Sequence, residues 1–125
     1  MRTGSLYRRK ILLVEDDYMQ ARAVAECLQS VGALILGPTG RATEVPRLLA
    51  SCTADAALLD INLGKGASFE TADYLRRLGV SFAFLTGYDQ SAIPSRLCSV
   101  PRLEKPASER ALIRLVKYLL EGSPL

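Results

Sequence analysis

The sequence contains no histidine. That absence excludes a histidine nucleophile, a phosphohistidine of its own, an imidazole general base and a histidine ligand for zinc. Cysteine is sparse as well. Cys27, Cys52 and Cys98 are odd in number and far apart, with no Cys-x-x-Cys pair, so neither a disulfide framework nor a metal cluster is expected and they read as reduced packing residues. After the basic start, with Arg2, Arg8, Arg9 and Lys10, no apolar stretch is long enough for a signal peptide or a membrane span. A cytoplasmic protein without membrane contact is therefore expected. The basic residues behind the net charge of +3 form no aromatic-interleaved cluster; they read as solvated surface, and no nucleic-acid partner is expected.

What is present suits one soluble domain. A chain of 125 residues, 49% hydrophobic, buries roughly two thirds of its unfolded surface and needs no disulfide or metal staple. Apolar runs of strand length recur at Lys10 to Val14, Leu34 to Leu36, Ala56 to Ile61, Phe82 to Leu85 and Val100 to Leu103. Helical spacing lies between them. Val24, Cys27, Leu28 and Val31 share a face before the stop at Gly32, and Leu112, Leu115, Val116 and Leu119 repeat the pattern before Gly122. A second helix is predicted from about Thr43 to Ser51, with Pro46 in its first turn, and a third after Ser68 as N-cap, ending near Gly79. Pro94 interrupts the segment from Gln90 to Cys98, so a fourth helix there must be short or irregular. Residues 1–8 are expected to form a flexible basic tail.

Near-continuous apolar strands alternating with helices imply an α/β domain, a doubly wound five-stranded parallel sheet with helices on both faces. In such sheets functional groups gather beyond the carboxyl ends of the strands. Those ends carry Glu15, Asp16 and Asp17 after the first strand, Asp60 after the third, Thr86 after the fourth, and Lys105 with Pro106 after the fifth. Clustered carboxylates repel one another unless a cation neutralises them, and magnesium suits a site offering few carboxylates and phosphate oxygen. Asp60 then has the position of a carboxylate nucleophile toward phosphorus, with Lys105 and Thr86 placed for the transferred oxygens. Each residue also has a plainer reading. Acidic residues at a helix start are often dipole partners, Thr86 is a good strand residue and Lys105 an ordinary surface lysine. Asp60 is harder to explain this way, because an aspartate ending an apolar strand is costly to bury unpaired.

The strings Ile11 to Asp17 (ILLVEDD), Leu58 to Leu63 (LLDINL), Phe84 to Tyr88 (FLTGY) and Leu103 to Pro106 (LEKP) together resemble the receiver domains of response regulators in two-component signalling. The resemblance covers nearly the whole chain and implies the flavodoxin-like strand order 2-1-3-4-5. It implies Asp60 as phosphoacceptor, Asp16 as direct Mg2+ ligand, Glu15 as its water-mediated companion and Asn62 as a ligand through its backbone carbonyl. Thr86 becomes the switch hydroxyl and Lys105 the phosphoryl ion-pair partner, while Asp17 is either a third acid or a helix-start residue. The implied partners are a sensor histidine kinase and a downstream protein or histidine phosphotransferase, with the domain a monomer or weak homodimer. A signalling phosphoacceptor is implied, not an enzyme acting on other substrates.

The sequence departs from the family pattern at Arg102, which stands where many receivers carry an aromatic residue three positions before the lysine. The loop after Asp60 also lacks the usual proline. These departures and FLTGY are similar to a branch of mainly stand-alone receivers whose fourth strand ends in Phe-Ala-Thr-Gly-Tyr, which makes Tyr88 and Arg102 switch candidates. Phosphorylation is then expected to reorder Gly87 to Cys98 through Thr86. The pattern uses residues 1–125 as a single receiver domain, so no output domain is expected and signalling passes through protein contacts or a phosphorelay. Two other classes fit poorly. A haloacid-dehalogenase phosphatase wants an aspartate where Asn62 stands, and a flavin-binding module wants a phosphate loop where Glu15 to Asp17 would repel phosphate. A degenerate receiver that acts as an interaction module without phosphate is the remaining alternative.

Overall fold

A computed structural model describes residues 4–63, 67–87 and 93–121. Five strands, β1 (Lys10–Val14), β2 (Leu34–Thr39), β3 (Ala56–Asp60), β4 (Ser81–Thr86) and β5 (Arg102–Glu104), form one sheet in the order β2-β1-β3-β4-β5. Every neighbouring pair is parallel. The helices are α1 (Tyr18–Gln29), α2 (Val45–Ser51), α3 (Ala67–Leu78) and α4 (Glu109–Glu121), with short 3-10 turns at Ala42–Glu44 and Ser95–Leu97.

The pleat divides the core. Ile11 and Leu13 of β1, Ala56 and Leu58 of β3 and Ala83 and Leu85 of β4 face α1 and α4. The alternate residues Leu12, Val14, Ala57, Leu59 and Phe84 face α2 and α3. Because β1 and β3 are covered on both sides, apolar residues fill them without alternation. No helix among the described residues is long and apolar enough to cross a membrane.

Several expectations need correction. The second strand continues three residues past Leu36, through Gly37 and Pro38. An edge strand tolerates a proline that cannot donate to a ladder, and the register shifts before pairing resumes at Val14 and Thr39. The fifth strand starts at Arg102 rather than Val100. The third helix already includes Ser68, which is therefore not its N-cap. Residues 4–8, expected within a flexible tail, make a turn. Leu6 is fully buried, its N–H donates to Val31 C=O at 2.9 Å, and Arg8 N–H donates to Gly32 C=O at 2.8 Å. The packing role assigned to the cysteines fits the buried Cys27 but not the exposed Cys98.

Candidate functional site

Two strand ends deliver three carboxylates to one rim. Buried Glu15 and exposed Asp16 directly follow β1, and β3 ends in buried Asp60; one oxygen from each of the three lies within 4.8 Å of the other two. Asp17 belongs to the helix: its side chain accepts the Gln20 N–H at 3.0 Å as the N-cap of α1. That resolves the two roles open to Asp17 in favour of the helix start.

A single ammonium group answers two of these acids. Lys105 Nζ lies 3.2 Å from Glu15 Oε1 and 3.4 Å from Asp60 Oδ1. Its backbone N–H donates to Thr86 C=O at 2.7 Å, extending the β4–β5 pairing beyond the last ladder pair. The Asn62 backbone N–H donates to Asp60 Oδ1 at 3.0 Å, and the Asp17 N–H donates to Glu15 Oε2 at 3.1 Å. Even so, the Glu15 carboxyl is pushed up to about 7. Burial is the leading cause, and the neighbouring Asp60 carboxylate adds to it against the lowering by the Asp17 N–H and Lys105.

Among the described residues, Lys105 is the ion-pair partner of these carboxylates, and it reaches Glu15 and Asp60 but not Asp16. The cluster offers oxygen donors only, which is the donor chemistry of a hard divalent cation, and the residues present therefore fit Mg2+. Thr86 is buried at the end of β4. Asn62 stands in the loop after β3, where a Cβ at Gly87 would come within 3.9 Å of its side-chain amide.

Ser68 was missed as a site-supporting residue, because a serine near a helix start reads as a cap. Its buried hydroxyl instead donates to Asp60 C=O at 2.7 Å and accepts the Leu63 N–H at 3.1 Å, clipping the loop after the third strand. Arg102 is not brought to the carboxylates: it pairs opposite Phe84, and its guanidinium donates to Cys98 C=O at 2.8 Å. Tyr88 lies outside the described residues, as does part of the expected irregular segment. The described remainder carries only the 3-10 turn at Ser95–Leu97.

No protein-family model matches the chain, and no curated protein matches it. Solved structures do. The N-terminal domain of a response regulator/sensory box/GGDEF three-domain protein from Carboxydothermus hydrogenoformans is 30% identical, with 91% of this chain and 95% of that one covered and a TM-score of 0.78. The signal receiver domain of a modulated diguanylate cyclase from Desulfovibrio desulfuricans G20 is 27% identical over 92% of this chain and 95% of that one, with a TM-score of 0.82. The BeF3-activated conformation of SdrG from Pseudomonas melonis Fr1 is 28% identical over 89% and 95%, with a TM-score of 0.77.

Proposed function

The chain belongs to the receiver domains of response regulators, and from that premise we propose that it accepts a phosphoryl group on Asp60 from the phosphohistidine of a sensor kinase. The observation that carries this reading is the placement of Lys105 Nζ between Glu15 and Asp60, beside a carboxylate cluster whose oxygens suit a divalent cation.

Glu15, Asp16, Asp60 and the Asn62 carbonyl would hold Mg2+. Bound there, it would supply positive charge that offsets the repulsion among the carboxylates and the charge on the phosphoryl oxygens. The remaining work belongs to the side chains. An Asp60 carboxylate oxygen attacks phosphorus, the new O–P bond forms as the P–N bond to the donor imidazole breaks, and the imidazole leaves with the bonding pair. Lys105, already within ion-pair reach of Asp60, pairs with the oxygens that arrive. Thr86 supplies a hydroxyl donor from the end of β4, and its engagement transmits the change to the segment after Gly87. Likeness to SdrG, a protein solved in a BeF3-activated conformation, supports this chemistry. The signal then leaves through protein contacts or by return of the phosphoryl group to a histidine phosphotransferase.

The deciding experiment is intact-protein mass after incubation with acetyl phosphate, with and without Mg2+, for the wild type and Asp60→Asn. A single Mg2+-dependent phosphoryl adduct that disappears in the variant is expected. No adduct, together with no binding of beryllofluoride, would overturn the reading and leave a phosphate-independent interaction module.

A further inference from the structure

Asp16 is the exposed member of the cluster, whereas Glu15 and Asp60 are buried. Burial and the Lys105 ammonium hold the other two, whereas Asp16 is packed against the chain through its backbone. Gly40 stands against it. An ideal Cβ at position 40 would lie 2.9 Å from both the Cα and the Cβ of Asp16, closer than side chains approach in packed proteins. The obstacle is main chain and the root of a side chain, not a flexible tip that can swing aside. Gly40 is not among the glycines with positive φ, so its backbone conformation does not itself call for glycine. The contact with Asp16 does.

The surrounding loop is firmly built. The β1–β2 register resumes at Val14 and Thr39, and the Thr39 C=O accepts the Glu15 N–H at 2.8 Å. The buried Thr39 hydroxyl accepts the Arg41 N–H at 3.1 Å and donates to the Glu44 carboxylate. Residues 39–41 thus form a wall anchored on both sides, against which the Glu15–Asp16 turn rests.

We propose that Gly40 is a positioning residue for the cation site, setting the main chain of Asp16 so that its carboxylate converges with those of Glu15 and Asp60. The proposal rests on the reading of Asp16 as a Mg2+ ligand. Adding a methyl group at position 40 forces Asp16 away from its partners while Asp60, Lys105 and Thr86 stay where they are.

The test is a Mg2+ titration of wild type and Gly40→Ala, followed by backbone amide NMR, alongside the Mg2+ dependence of phosphorylation by acetyl phosphate. Gly40→Ala is expected to bind Mg2+ about tenfold more weakly, as when a group that orients a metal ligand is lost. It should need correspondingly more Mg2+ for half-maximal phosphorylation, yet reach the wild-type maximal rate. A merely structural role would lower the unfolding midpoint without moving the half-saturating Mg2+ concentration, and unchanged Mg2+ affinity in the folded variant overturns the proposal. Should Gly40→Ala fail to fold, the wild-type titration decides: the Gly40 amide should shift together with that of Asp16, and a Gly40 signal that stays still refutes the contact. A wild type that binds no Mg2+ at all overturns the phosphoacceptor reading first, and this inference with it.

Discussion

The Lys105 ammonium stands 3.4 Å from Asp60 Oδ1, although the two residues are 45 positions apart in sequence. Parallel strands make this contact by ending at one rim, and Lys105 is held there through its N–H bond to Thr86 C=O. Its ammonium is also the Glu15 partner. Replacing Lys105 by alanine removes the positive charge on which the transferred oxygens would settle, but none of the carboxylates. Mg2+ binding should therefore persist in Lys105→Ala, while the phosphorylation rate at saturating Mg2+ falls on the order of a hundredfold. Time-resolved intact mass with acetyl phosphate reads this directly, and a wild-type rate would remove Lys105 from the chemistry.

Ser68 gives a prediction of a different kind. Its hydroxyl holds both the carbonyl of the phosphoacceptor residue and the N–H of Leu63. Ser68→Ala leaves the buried Asp60 carbonyl and the part-buried Leu63 N–H without that partner, at a cost of about 1–3 kcal/mol. Urea unfolding measures the loss. A variant as stable as wild type would mean that water replaces the hydroxyl.

How much of this was legible beforehand follows from the periods involved. The strands were readable because doubly covered β1, β3 and β4 are apolar throughout their middles. The carboxylates and Thr86 were readable because they break those runs at their ends, and Lys105 through the Leu-Glu-Lys-Pro string that closes the fifth strand. Edge strand β2 was cut short because Gly37 and Pro38 are ordinary terminators, and only its place beside a single neighbour lets the chain continue through them. Ser68 and Gly40 were illegible for another reason: each acts through contacts with a different element, which no local pattern encodes. Leu6 was hidden among the basic residues around it.

That last residue carries a stability prediction. Leu6 is fully buried in the core under α1 and α4, before the first strand begins. Leu6→Ala should cost about 2–5 kcal/mol, the range for truncating a buried leucine. A flexible tail would cost nothing. Denaturant unfolding of the variant distinguishes the two, and an unchanged midpoint would restore the tail description.

Asp73 of α3 makes a two-point contact with Arg96, Oδ1 with Nε at 3.0 Å and Oδ2 with Nη2 at 2.8 Å. Arg76 Nη1 donates to Arg96 C=O at 2.9 Å, so the turn at Ser95–Leu97 is tied to α3 from two sides. Hydrogen bonding from Arg96 is the main reason that the Asp73 carboxyl lies below the usual aspartate range; the charges of Arg96, Arg77 and Arg76 act in the same direction against some desolvation. A folded-state pKa below the unfolded one means that the unfolded chain binds the proton more readily. The stabilisation is therefore complete above the unfolded pKa and is lost as pH falls through the folded one. Wild type should thus be more stable than Asp73→Asn at neutral pH, and the gap should narrow only below about pH 4, where aspartate begins to protonate. Urea midpoints of both proteins between neutral pH and pH 3 measure it. A gap constant across that range would mean that the contact contributes through packing, not through the charge on Asp73.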